Sequence, residues 1–188
     1  MTPLELVAAG FGVVAVYLST RENVLSWPVA LVNVGLYTIV FYHARLYADM
    51  GLQVVYFVLS LYGWYEWKFG GANRTTLHVS RVGARLWIPL ATIHLVVWIS
   101  LGTLLARSTD AAIPWFDSFL TSGSLIAQRM MTRKLLENWA LWIALDILYV
   151  PMFISRGLYA TAALYAVFLV LAIRGWLEWK RSMKAIAA

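Results

Sequence analysis

A chain of 188 residues that is 62% hydrophobic and 13% charged, with a mean hydropathy of +0.72, lies outside the range of soluble domains, whose apolar share is about 45–50%, and reads as a polytopic membrane protein. The absence of cysteine excludes disulfides, thiolate metal sites and cysteine nucleophiles. A net charge of +6 does not point to nucleic acid, because the basic residues lie between apolar runs and form no stripe of their own; membrane topology accounts for them.

The first apolar run, 4 to 19, has no Lys or Arg ahead of it and Arg21 behind it, the reverse of a cleavable signal peptide, so it reads as a retained helix. Further runs at 25 to 42, 51 to 67, 86 to 106, 117 to 132, 138 to 154 and 158 to 178 predict seven helices, several near the short limit for spanning. The connection from 68 to 85 holds Gly70, Gly71, Asn73 and three arginines and predicts a flexible surface loop, the natural hinge between halves. A second break, Ser108 to Pro114, separates the fourth run from the fifth. With seven spans the termini fall on opposite faces. The N-terminal face collects Arg45, Arg107 and Arg156, and the other face takes the remaining twelve of fifteen basic residues, from Arg21 to Lys184. The positive-inside rule then predicts a cytoplasmic C-terminus and an external N-terminus.

The chain repeats itself at an offset of 112 residues: Thr20-Arg21 matches Thr132-Arg133, Trp27 matches Trp139, Leu36-Tyr37 matches Leu148-Tyr149, Phe41 matches Phe153, and Leu46-Tyr47 matches Leu158-Tyr159. GWYEWK (63 to 68) matches GWLEWK (175 to 180). Such self-similarity predicts an internal duplication, in which helices 1 to 3 correspond to helices 5 to 7 and the fourth helix links two copies of the same orientation. The expected organisation is a first three-helix repeat over 1–68, a loop and linker helix over 69–115, and a second repeat with a short tail over 116–188. Parallel repeats of this kind are a transporter architecture, with substrate near the membrane midplane between the halves.

The stretch from 134 to 149 carries the most chemistry. At helical spacing Trp139, Trp142, Asp146 and Tyr149 share one face. An aspartate inside a membrane helix costs about 2.5–3.5 kcal/mol on insertion scales and by default marks a functional position; the plainer alternative is a hydrogen bond to a neighbouring helix among packed aromatics. In the fifth run Asp117, Thr121, Ser124 and Gln128 form a polar stripe, which predicts a cavity lining, although any one of these taken singly reads as interhelical hydrogen bonding. Ser26, Asn33 and Tyr37 share a face of the second run, and Gln53, Tyr56, Ser60 and Gly63 one of the third. Amides, a carboxylate and aromatics suit a flat, polar, cationic ligand. The twin GWxEWK motifs read first as headgroup-level tryptophan anchors with positive-inside lysines, and Glu66 and Glu178 as candidate gates of the inner mouth.

Other classes fit poorly. There is no HExxH, no GxSxG and no nucleophile beside a base, so the chain does not read as an enzyme. No histidine pair has metal-ligand spacing, and nothing implies a cofactor. A retinal sensor needs a lysine inside a helix, whereas Lys68, Lys134, Lys180 and Lys184 lie at helix ends. A proton-coupled transporter would use Asp146, but a lone acid without a histidine or second acid makes a thin relay.

With these motifs assembled the chain resembles the PnuC family of vitamin transporters. The resemblance covers nearly the whole chain and rests on VNVGLY around Asn33, Leu46-Tyr47 with Leu52-Gln53, Tyr62-Gly63-Trp64-Tyr65 with Trp67, Asp117-Ser118, MTRK (131 to 134), Glu137-Asn138-Trp139 with Trp142, and Gly157 with Tyr159. It implies a SWEET-like fold of three helices plus one plus three. The implied activity is facilitated diffusion of nicotinamide riboside across the bacterial inner membrane, or of thiamine or riboflavin, with a cytoplasmic kinase trapping the vitamin. It also implies a homo-oligomer, a trimer. By the same resemblance Asn33, Gln53, Asn138, Trp139, Trp142 and Tyr165 are ligand contacts. The chain departs at Asp146 from a member of the family that has asparagine there; a carboxylate favours a cation, which nicotinamide riboside and thiamine both are.

Overall fold

The computed structural model describes residues 3–43, 47–109 and 113–187. Among them are seven α-helices: α1 (Pro3–Thr20), α2 (Ser26–His43), α3 (Tyr47–Phe69), α4 (Ala84–Ser108), α5 (Pro114–Thr132), α6 (Glu137–Ser155) and α7 (Tyr159–Ala187). The protein is all-helical. Four helices, α1, α4, α6 and α7, are long and apolar enough to cross a membrane, and α2 contains a shorter apolar stretch, Ser26–Val40. Arg45 and Leu46, used above for orientation and repeat, lie outside the described residues.

Helix ends follow local chemistry. Pro114 opens α5, where its missing N–H costs nothing. Three helices stop in Schellman turns, whose defining bonds link the second residue past the helix end back to the last turn: Asn23 N–H to Leu18 O at 3.0 Å, Leu135 N–H to Met130 O at 3.1 Å, and Leu158 N–H to Phe153 O at 2.9 Å. Gly157 supplies the left-handed residue of the third turn at φ 72°, whereas Glu22 (φ 53°) and Lys134 (φ 47°) adopt it in the other two despite their side chains. A left-handed non-glycine is uncommon and costs about 1–2 kcal/mol, so both positions are held by something beyond local preference.

α1 packs on α2, α2 on α3, α3 on α5, α5 on α6, α6 on α7 and α7 back on α1, a closed ring, with α4 outside it against α5. The outward faces are apolar: Leu86, Ile88, Ile93, Val96 and Leu104 on α4, and Val167, Val170 and Ile173 on α7, are exposed, as expected where lipid rather than protein covers the surface. Toward one end of the ring Trp27, Trp67, Val79, Met131, Leu136, Trp139, Ala172 and Trp179 form one buried cluster.

Three expectations change. The 68–85 connection is pinned, not free: Ser80 N–H bonds Lys134 O (3.1 Å), Leu136 N–H bonds Ser80 O (2.8 Å), Val82 N–H bonds the Glu137 carboxylate (2.9 Å), and Val79 is buried. A connection rich in Gly and Arg signals a turn but does not disclose the backbone groups waiting opposite it. Trp67 and Trp179 are 2% and 0% exposed, so the second tryptophan of each twin motif is core and not a headgroup anchor; Trp64 is exposed as expected. α7 runs on to Ala187 because its tail holds Lys, Met and Ala, good helix formers with no breaker.

Candidate functional site

The ring encloses a cavity of about 760 Å³, within the range of small-molecule sites. Its lining runs from Glu5, Leu52, Asp117 and Leu158, at the ends of helices on the N-terminal face, to Ser26, Trp27, Met131 and Trp139 at the opposite end. Asp117 and Leu158 are exposed, whereas all four of the latter are buried. The cavity is thus a vestibule open toward the N-terminal face and floored by tryptophan.

Five of the six ligand contacts that the resemblance implies line it, Asn33, Gln53, Trp139, Trp142 and Tyr165, and so do Tyr37, Tyr56, Ser124, Asp146 and Tyr149 from the polar and aromatic faces suited to a ligand. Asn138 does not; it is fully buried beside the floor, and its amide N–H donates to Leu135 O at 2.6 Å. The whole stripe of α5, from Asp117 through Thr121 and Ser124 to Gln128, also faces the cavity.

The walls differ in character. Tyr149, Phe153, Tyr165 and Phe168 form a chain of ring contacts with centroids 4.8 to 5.7 Å apart, a surface on which a flat heterocycle gains about 0.5–1.5 kcal/mol per good ring contact. Ser124 Oγ lies 3.3 Å from Tyr149 Oη and donates to Leu120 O at 2.9 Å. Across the cavity Asn33 Nδ2 donates to Ala8 O at 2.6 Å; a Cβ at Gly12 would sit 3.1 Å from that nitrogen, so this glycine admits the amide. Asp146 is 2% exposed and makes no hydrogen bond or ion pair to a described residue. An uncompensated buried carboxylate is costly, and its position in a cavity wall leaves a ligand or water as its partner.

Glu5, Asp117 and Asp146 all line the cavity, and among the described residues no Lys, Arg or His does. His94 is outside, with Nδ1 2.9 Å from Ser122 Oγ between α4 and α5. No group of acids and histidines among the described residues could hold a metal. Sequence reasoning missed Glu5 and Trp27 as lining residues. The signal was present for both, since they are the repeat partners of Asp117 and Trp139.

A family profile for nicotinamide mononucleotide transporters matches residues 2–181. The chain is 26% identical to the nicotinamide riboside transporter PnuC of Escherichia coli (strain K12), covering 96% of this chain and 86% of that one. It is 22% identical to the riboflavin/roseoflavin transporter RibM of Streptomyces davaonensis, covering 93% and 83%. The crystal structure of the vitamin B3 transporter PnuC superposes with a TM-score of 0.75 at 24% identity, over 97% of this chain and 82% of that one, which establishes a shared fold. With a profile match across almost its full length, the chain belongs to the nicotinamide mononucleotide transporter family.

Proposed function

We propose that this protein is a facilitator for nicotinamide riboside, which it binds between two helix repeats near the membrane midplane and releases by alternating access. The observation that carries this reading is the cavity lining: three carboxylates, a chain of four aromatic rings in contact, three tryptophans and three amides, with no basic side chain among the described residues. A pyridinium riboside is a flat cation, attracted by carboxylates and aromatic faces. Its phosphorylated counterpart carries a dianionic group that finds no Lys, Arg or helix-borne cation in such a cavity. Thiamine, another aromatic cation, is the alternative substrate. Riboflavin, the third, has a relative at 22% identity in its favour but no charge for the acids to read.

The architecture we infer is a SWEET-like arrangement of three helices plus one plus three, with repeats over 1–68 and 116–188 joined through 69–115. The order of contacts around the ring supports it, because each contact has a counterpart when α1, α2 and α3 are exchanged with α5, α6 and α7. The face bearing twelve of fifteen basic residues is taken as cytoplasmic, the N-terminus as external, and the membrane as the bacterial inner membrane. Binding geometry supplies the selectivity, no nucleic acid is involved, and a cytoplasmic kinase traps the product of net uptake. The protein acts as a homo-oligomer, a trimer, in the bilayer.

Calorimetric titration of the purified protein with nicotinamide riboside, thiamine, riboflavin and nicotinamide mononucleotide tests the assignment. Saturable binding of nicotinamide riboside, with the mononucleotide at least about tenfold weaker, is expected; preference for the mononucleotide or for riboflavin would overturn it.

A further inference from the structure

At the closed end of the cavity the contacts recur in pairs 112 residues apart. Trp67 Nε1 donates to Met131 O at 3.0 Å, and Trp179 Nε1 donates to Ser19 O at 2.9 Å. Arg133 pairs with Glu66 at 3.2 Å, and Arg21 with Glu178 at 3.8 Å. Trp27 packs edge-on to Trp67 over Gly63, and Trp139 edge-on to Trp179 over Gly175; a Cβ on either glycine would collide with the indole. Arg129 lies 5.0 Å from the Tyr62 ring, and in the counterpart contact cation and ring are exchanged, with Arg174 5.2 Å from Tyr17.

Two contacts join a residue to its own repeat partner. Trp67 and Trp179 have ring centroids 5.7 Å apart, and Lys134 Nζ lies 2.9 Å from Glu22 Oε2. A contact that maps onto itself when the repeats are exchanged must lie at the axis relating them. Identical charges there would repel; the chain has a carboxylate in one copy and an ammonium in the other. Lys134 is 7% exposed at its side chain and also stands 4.7 Å from the Trp67 ring. This pairing explains why Glu22 and Lys134 both hold left-handed backbone conformations: the turns point the two side chains at each other.

We propose that these contacts are the inner gate of the transport path, fastened at the axis by the Glu22–Lys134 ion pair, and that the two repeats part along this seam to release the substrate. The inference rests on the transporter reading and on the repeat pairing. It accounts for three of the five recurring residues of GWxEWK: the glycine seats the tryptophan of its own repeat that packs on the second tryptophan, the glutamate pairs with the arginine of the other repeat, and the second tryptophan bonds across the seam.

The test uses the absence of cysteine. Ser60, 1% exposed in the cavity wall one turn above Gly63, is changed to cysteine as the sole reporter, in inside-out vesicles treated with a membrane-impermeant maleimide. In the otherwise unchanged chain labelling should be slow. Lys134→Met and Glu22→Gln should each raise the rate about tenfold or more, since a buried charge left alone favours the open seam, and the exchange Glu22→Lys with Lys134→Glu should restore protection. Arg21→Gln with Arg133→Gln, whose side chains are 56% and 48% exposed, breaks the flanking pairs while leaving the axial Glu22–Lys134 pair intact, and should raise labelling even if the axial variants misfold. Equal labelling in all backgrounds, or no recovery in the exchange, overturns the gate. No ligand enters the measurement, so a wrong vitamin assignment would leave its outcome unchanged.

Discussion

Replacing Asp146 by asparagine removes one charge while keeping the shape of the side chain. At an effective dielectric of about 20, a cation held about 5–6 Å from the carboxylate gains about 3 kcal/mol. The amide retains a dipole and part of a hydrogen bond, so a net loss of about 1.5–2.5 kcal/mol is expected, which is about ten- to seventyfold in Kd. Fold stability should not fall, because Asp146 makes no hydrogen bond or ion pair to a described residue and asparagine relieves the burial of an uncompensated charge. Calorimetry on the purified, monodisperse variant measures the first quantity and thermal unfolding the second. Dihydronicotinamide riboside, which has lost the positive charge but kept the outline, supplies the control: its affinity should change less than about threefold. Unchanged affinity for nicotinamide riboside would refute the role of the carboxylate, and an equal loss for the neutral compound would mean that shape, not charge, had been read.

Trp142→Ala removes a half-buried indole from the cavity wall and should weaken binding by about 1–2 kcal/mol, about five- to thirtyfold; calorimetry within twofold of the unchanged chain would remove it from the site. Gly175→Ala drives a methyl group into Trp139 and should cost about 1–3 kcal/mol as overpacking, read as a lowered midpoint in a thermal melt, whereas alanine at Gly10, which has open space around it, should leave the melt nearly unchanged. Glu137→Gln weakens the hydrogen bond that holds Val82 and should cost about 0.5–1.5 kcal/mol, with faster hydrogen exchange over 77–82. Exchange there that matches the unchanged chain would show that the two backbone bonds to Ser80 suffice.

Much of the fold could be read because membrane helices announce themselves. Apolar runs gave the starts of six helices within a few residues, and the offset of 112 paired them before any contact was known. The polar stripe of α5 and the aromatic face of α6 were legible for the same reason: polar residues in an apolar helix have few places to point. What the sequence withheld was contact across the repeats. Trp67 and Trp179 look like headgroup anchors because an indole beside a lysine at a helix end has that meaning in isolation. Only the ring closure of α3 on α5 and α7 on α1 brings a carbonyl from the other repeat to each indole nitrogen. The strap over 77–82 escaped for a similar reason, since Ser80 is held by main-chain groups of the α5–α6 turn, which no side-chain pattern advertises, and the Glu137 carboxylate adds one bond at Val82.

The two repeats agree at the seam and disagree in the cavity. Glycine, glutamate and the second tryptophan of GWxEWK recur unchanged, as do Arg21 with Arg133 and Trp27 with Trp139. Halfway along the cavity the partners diverge: Ala30 stands where the second repeat has Trp142, Val34 where it has Asp146, Asn33 where it has Leu145, and Gln53 where it has Tyr165. A seam that must open along a two-fold axis functions best with matching contacts on both sides, because unequal ones would let one side yield before the other. A small nucleoside has no two-fold axis, and a symmetric lining would offer it two equivalent poses, neither able to satisfy a charge and a polar edge together. Asp146 and Trp142 on one wall with Asn33 and Gln53 on the other resolve this. On the proposed reading the charge and an indole come from α6 and the amide edges from α2 and α3, so a nucleoside that fits one way round is not expected to fit the other.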